Sequence, residues 1–316
     1  MQLRTRHLLL AAGVVAVAVA ATRARRTPAW ATVDDPLGAD GVALPSGART
    51  TVVTDDDARL EVLVTGPDDG STVVLSHCWT GGMSLWGPVA RRLVASGHRV
   101  VLYDQRGHGR STLGRAPLTV DRLGDDLRTV LEALDVRDAV LAGHSMGGMT
   151  VQALAANHPD VVASRARGIV LAGTAAHVSR VPIPAWAAAA ALGDRRTARL
   201  QAQDPWSMRR MFGDVVHRTH VDAARDTLLA TTGQARAGCL VAMTRMDYRS
   251  GLSTIGVPTV VVVGSKDRLT APARARVLAA AIPGARLEVL DGIGHMLPLE
   301  APDVLAREIA GLSMSS

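Results

Sequence analysis

From Ser71 onward, short valine-rich apolar runs alternate with stretches of helical periodicity, and this alternation restricts the chain to few folds. The runs fall at about 71–76, 99–104, 138–142, 168–173, 258–264 and 286–290, and the helical patterns near 85–96, 119–134, 146–157, 272–281 and 302–311. A strand that is apolar at nearly every residue needs cover on both faces. That is the situation in a mostly parallel sheet with crossover helices on each side. Upstream, RTTVVT at 49–54 and RLEVLVTG at 59–66 flank DDDA, and their β-branched alternation predicts an antiparallel pair.

The rhythm stops between His177 and Leu252. No buried strand is legible there; AWAAAAAL and VDAARDTLLATTGQA are helix formers, interspersed with Trp186, Trp206, Met208, Met211 and Phe212. The interval is too long for a loop in a compact domain, so it reads as a helical cap over the edge of the sheet. The expected organisation is a core at 48–176 and 253–316, a cap at 177–252, a polar linker at 32–47 and a separate N-terminal segment at 1–31.

That segment reads as a targeting element. Arg4, Arg6 and His7 precede an apolar run from Leu8 to Ala21, and TRARR follows. The run suits a signal peptide and is short of the roughly 17–25 residues of a spanning helix. Ala18 and Ala20, or Ala29 and Ala31, offer small-residue cleavage sites, whereas the Arg23–Arg26 cluster resembles the flank of an uncleaved anchor. Export is expected either way, with membrane association through residues 8–22 as one form of it. The same segment explains the net charge of +6. Without its five arginines the chain carries 30 basic against 29 acidic side chains, so no nucleic-acid partner is expected. Two cysteines, Cys78 and Cys239, make one bridge at most and no metal site alone.

The stretch VLAGHSMGG carries the chemistry. A strand ending at 142 and a helix beginning at 146 place Gly143-His144-Ser145-Met146-Gly147 at a strand-to-helix turn. Such a turn exposes the serine hydroxyl at the C-terminal edge of the sheet, with the helix N-terminus behind it. A serine hydroxyl needs a base, and the base an orienting acid. SKDRLTAP places Asp267 just past one strand, and DGIGHMLPLEAP places His295 past the last. Asp291 is the rival acid, but lies four residues before His295 on the same loop. The backbone N–H groups of Met146 and of Trp79, in the loop after VVLS, are the candidate oxyanion donors. Substrate contacts are expected from Trp79, His144, Trp186 and Met211, whose apolar neighbours Met208, Met243 and Met246 suggest an apolar ester as the small-molecule partner.

Five motifs in order, His77-Cys78-Trp79, Asp104 to Ser111, Gly143 to Gly147, Gly264 to Asp267 and Gly294-His295, resemble those of the α/β-hydrolase superfamily, with the haloperoxidase-like and carrier-protein methyl ester esterase-like members nearest in pattern. The resemblance covers about residues 50–311. It implies an eight-stranded mostly parallel sheet with a helical cap after the sixth strand, and ester cleavage through an acyl-enzyme on Ser145, Asp267 and His295. The same three residues also leave open carbon–carbon bond, lactone or amide hydrolysis and peracid formation, and a non-catalytic binding protein of this fold is the remaining alternative. Ser145 argues against the haloalkane dehalogenases and epoxide hydrolases, which use aspartate there. One departure stands out: Cys78 occupies a position usually held by glycine, which raises the question of how the oxyanion loop turns and whether the thiol is oxidation-sensitive. DQRGHGRS lacks the third glycine of a dinucleotide fingerprint, and GSK lacks the upstream glycine of a phosphate loop. No cofactor or metal is expected, and no oligomeric state is assigned.

Overall fold

A computed structural model of the protein describes residues 38–178 and 208–313, together with Asp35 and Arg199. The N-terminal segment, AWAAAAAL, Trp186 and Trp206 lie outside the described residues. No described helix is long and apolar enough to cross a membrane.

Eight strands form one sheet: β1 (Ala48–Val53), β2 (Arg59–Thr65), β3 (Thr72–Ser76), β4 (Arg99–Tyr103), β5 (Ala139–His144), β6 (Ala166–Ala172), β7 (Thr259–Gly264) and β8 (Arg286–Leu290). Their order is β1-β2-β4-β3-β5-β6-β7-β8. The β1–β2 and β2–β4 pairs are antiparallel, and every pair from β4 to β8 is parallel. This is the α/β-hydrolase fold that the sequence pattern and the resemblance imply. The helices include α1 (Gly87–Ala95), α2 (Val120–Ala133), α3 (Met146–Asn157), α4 (Pro159–Arg165), α5 (Arg218–Ala230), α6 (Gly233–Arg245), α7 (Pro272–Ala281), α8 (Leu297–Glu300) and α9 (Pro302–Ser313).

Why the central strands lack polar alternation is visible in the core. Val74, Val101, Leu141, Ile169 and Val261 face one apolar layer with residues of α2, α3 and α7. Their chain neighbours Val73, Val100, Val140, Val170 and Val260 face a second, with residues of α1 and α9. Successive side chains point to opposite faces, so each central strand is apolar on both. Helix α3 is buried over ten of its twelve residues, which explains why its sequence carries no polar face. Between β6 and β7 the described residues form α5 and α6 and no named strand. The helical pattern of that interval breaks at Thr231-Thr232, where the Thr232 hydroxyl caps α6 by accepting from Ala235 N–H. Helix α4, with its proline at the first turn, has only two buried apolar residues and no strong periodicity.

The loop after β4 is pinned by a buried guanidinium. Arg106, fully buried, donates to both oxygens of Asp126 at 2.6 Å each and to both oxygens of Asp56 at 3.0 and 3.2 Å. It also donates to Leu113 O at 2.9 Å. The loop 104–115 is thereby tied to both the β1–β2 turn and α2. Arg106 is the cation bonded to the buried Asp126, whereas Asp56 also pairs with Arg122 at 2.8 Å, so removing Arg106 strands the Asp126 carboxylate in the interior. Arg106→Leu is expected to lower unfolding free energy by about 3–5 kcal/mol in urea titration. Arg110→Ala, which loses only an exposed 3.7 Å pair with Glu61, should stay within about 1 kcal/mol of the parent; equal effects would contradict this reading.

Candidate active site

Ser145 sits between β5 and α3 with φ 53° and ψ −114°. A non-glycine residue in that region stores on the order of 1–3 kcal/mol of strain and persists only where its surroundings hold it. Here Ser145 N–H donates to Ala172 O at 2.9 Å, and Thr174 Oγ1 donates to Ser145 O at 2.7 Å. The flanking glycines are explained by contact. A Cβ on Gly147 would lie 2.1 Å from Ser76 O, and one on Gly143 would lie 2.3 Å from Gly147 O. Only glycine lets α3 approach β3 and β5 this closely. The Ser145 hydroxyl does not cap the helix, and the first amides of α3, from Met146 onward, have no carbonyl one turn back.

Asp267 follows β7 and His295 follows β8. His295 Nδ1–H donates to Asp267 Oδ2 at 2.8 Å, and both side chains are buried. This bond fixes the proton on Nδ1 and leaves Nε2 with its lone pair. The other Asp267 oxygen, Oδ1, accepts from Leu269 and Thr270 N–H at 2.8 Å each. Burial pushes the carboxyl up, but the His295 ring, its hydrogen bond and the Thr270 groups outweigh it and hold Asp267 at about 2. Thr270 is a residue the sequence reading missed. Its hydroxyl stands 2.7 Å from both Gly173 O and Asp267 Oδ2 and 3.2 Å from His295 Nδ1; its place one turn after Asp267 was the available signal.

Ser145 and His295 open on to one cavity of about 400 Å³. Trp79, Met149, Met208, Met211, Leu240 and Met243 line much of it, so Trp79 and Met211 lie where substrate contact was expected. His144 corrects that expectation. It is 1% exposed, is absent from the cavity wall, and donates from Nε2 to His295 O at 2.7 Å. Strand alternation turns it behind Ser145 rather than beside it, and it props the loop that carries His295. Met246 belongs to the apolar cluster beneath α6 and likewise does not line the cavity.

The loop carrying Trp79 rests on the loop after β4. His77 Nδ1–H donates to Cys78 O while its Nε2 accepts from Gln105 N–H at 2.9 Å. Gln105 Nε2 donates to His77 O at 2.5 Å. His108 Nδ1–H donates to Arg106 O while its Nε2 accepts from Thr80 N–H at 3.3 Å. Asp104 Oδ1 accepts from Met83 N–H. The positive φ of this loop, 58°, falls at Thr80 and not at Cys78, so the turn is made without a glycine at 78. Burial pushes the Cys78 thiol up to about 12, which disfavours the reactive thiolate. Cys78 and Cys239 are both free and buried. Among the described residues no group of three or more His, Cys, Asp or Glu side chains could hold a metal ion.

Each of His77 and His108 uses one ring nitrogen as donor and the other as acceptor, so each is neutral. Burial lowers His77 to about 4 and His108 and His144 to about 3, helped at His108 by His77 and at His144 by His295. Unfolded, these rings titrate near 6.5. Between those values the unfolded chain binds more protons than the folded one, so stability falls as pH falls below about 6.5. Asp267, depressed from 3.8 to about 2, adds its loss only below about 3.8. Urea titrations at about pH 7.5 and 5 should differ by several kcal/mol, and His108→Gln should flatten the slope. Equal stability at both values would contradict the neutral, buried assignment.

A family model described as the alpha/beta hydrolase fold matches residues 71–302. A 3-oxoadipate enol-lactonase of Acinetobacter baylyi is 29% identical over 263 residues, covering 81% of this chain and 94% of its own. A non-heme chloroperoxidase of Kitasatospora aureofaciens is 29% identical over 245 residues, covering 74% of this chain and 88% of its own. Among solved structures, a hydrolase from Pseudomonas aeruginosa superimposes with a TM-score of 0.72 at 30% identity, covering 86% of this chain and 100% of that one.

Proposed function

The chain belongs to the α/β-hydrolase family, and on that premise we propose that it is a serine hydrolase cleaving carboxylic esters of neutral, apolar acids through an acyl-enzyme. The observation that carries the reading is the strained Ser145 elbow sharing a cavity with a His295 whose Nδ1 proton is held by Asp267. In the first half-reaction His295 Nε2 takes the Ser145 hydroxyl proton as the oxygen attacks the ester carbonyl. Asp267, ionised at neutral pH, stabilises the imidazolium so formed. The oxyanion is held by the N–H groups of Met146 and Trp79, Met146 adding the favourable end of the α3 dipole. His295 then gives its proton to the leaving alkoxide. Water, deprotonated by the same nitrogen, attacks the acyl carbonyl, and Ser145 recovers its proton as the acid departs.

The acyl preference rests on the lining. Apart from His295 and the neutral Cys78 thiol, no ionisable side chain lines the cavity among the described residues. Against the described lining, an acid bearing a second carboxylate would bury that charge with no cationic side chain beside it but a protonated His295, at a cost of several kcal/mol. The enol-lactone of 3-oxoadipate, the named substrate of one relative, keeps such a carboxylate. Likeness to a chloroperoxidase favours a second reading on the same acyl-enzyme, in which hydrogen peroxide replaces water and a peracid leaves. Release of peracetic acid from acetate and peroxide faster than ester turnover would select it. Export is part of the proposal, supported by the apolar run Leu8–Ala21 and its arginine flanks; recovery of the protein only in the cytosol of its host would contradict it.

Hydrolysis of p-nitrophenyl pentanoate should be lost by at least about 10³-fold in kcat/KM in Ser145→Ala. The mono-p-nitrophenyl ester of glutaric acid, equal in length but anionic, should be at least about 100-fold poorer with the parent enzyme. Parity between the two esters would contradict the neutral-acid preference alone. If a folded parent cleaves neither, the ester reading itself is wrong.

A further inference from the structure

The loop that carries His295 is held from outside the triad by one carboxylate. Glu300, at the end of the short helix α8, accepts three backbone N–H groups. Its Oε2 takes Gly213 at 2.6 Å and Gly294 at 3.0 Å, and its Oε1 takes Met296 at 2.9 Å. Two of these amides bracket His295 in the chain. The third belongs to the cap segment that leads into α5. This same segment is laid backbone to backbone on the His295 loop: Met211 O accepts from His295 N–H at 2.7 Å, and Asp214 N–H donates to Gly292 O at 2.8 Å. A Cβ on Gly213 would lie 2.0 Å from Gly292 O, and one on Gly294 would lie 2.3 Å from Gly213 N. The two segments therefore meet at a distance that only glycine permits on either side.

The Asp267 bond holds the His295 ring at Nδ1 alone, so the ring can pivot about that bond unless its backbone is fixed. We propose that Glu300 is a positioning residue: by clasping the amides on either side of His295 to the cap segment at Gly213, it sets where Nε2 stands relative to Ser145. The proposal rests on the serine-hydrolase reading. A carboxylate suits the task because its two oxygens serve three donors and carry no hydrogen of their own. Glutamine keeps one acceptor oxygen, enough for Gly213 and Gly294, and turns an NH₂ against Met296 N–H. Alanine keeps none. The effect belongs in kcat and not in KM, because Glu300 does not line the substrate cavity.

The test compares parent, Glu300→Gln and Glu300→Ala on a neutral p-nitrophenyl ester, with active sites titrated by an alkyl phosphonate and melting temperatures recorded. Misplacement of a reacting group by about 1 Å costs on the order of 10²-fold. We expect kcat per titrated site to fall about 10-fold in Glu300→Gln and about 100-fold in Glu300→Ala, with KM within about threefold of the parent. Partial rescue by glutamine is the signature of positioning through hydrogen bonds. Unchanged kcat per titrated site with a lowered melting temperature would make Glu300 a purely structural residue and overturn the proposal. A KM that rises while kcat holds would overturn it as well. Should Glu300→Ala not fold, Glu300→Gln decides on the same criteria. A parent that neither turns over ester nor reacts with phosphonate would overturn the functional reading and the positioning role together; a parent that does both confines any failure to Glu300.

Discussion

The site depends on how closely helix α3 approaches strands β3 and β5. Gly143 and Gly147 bring the helix near enough that any side chain at either position would meet backbone oxygen at 2.1–2.3 Å. That approach forces Ser145 to φ 53°, lifts it out of the strand and sets it at the mouth of the helix. The strain is tolerable because the parallel sheet, buried on both faces, holds β3, β5 and β6 in fixed register. Strain at the serine and rigidity of the sheet are two aspects of one arrangement.

Around this elbow, three loops at the same edge of the sheet are fixed by bonds that cross between them. The loop after β4 supplies Gln105 and His108 to the loop after β3, and is itself held by the buried Arg106 between Asp56 and Asp126. The loop after β8 is bonded by His144 and by the backbone of residues 211–214. Neutral histidines do much of this bracing: their ring nitrogens offer one donor and one acceptor, and burial keeps them uncharged. The resulting rigidity fixes the loops that carry the Trp79 and Met146 amides, the oxyanion donors of the proposed mechanism, before substrate arrives, which is where electrostatic stabilisation is most effective.

Much of the fold was legible because a doubly covered strand must be apolar at every position. The boundaries expected for α3, α7 and β8 coincide with those observed, and other strands differ by one or two residues. Helix α4 escaped because PDVVASR is short and offers too few apolar residues to show a period. At the site, chain order and strand ends pointed to Ser145, Asp267 and His295 as residues at one edge. The direction of His144 was not legible, since the residue before an elbow can face the cavity or the sheet, and only the turn itself decides. Glu300 and the Gln105–His77 pair were hidden for another reason. Their bonds are to backbone amides and carbonyls, and a side chain that binds backbone leaves no complementary residue type to find.

Whether Ser145 is a nucleophile activated by His295 can be read by peptide mapping after exposure to an alkyl phosphonate, which requires no knowledge of the natural substrate. A single adduct is expected on the peptide containing Ser145, absent in Ser145→Ala and formed far more slowly in His295→Ala. An adduct on another residue, or none in the folded parent, would contradict the proposed mechanism.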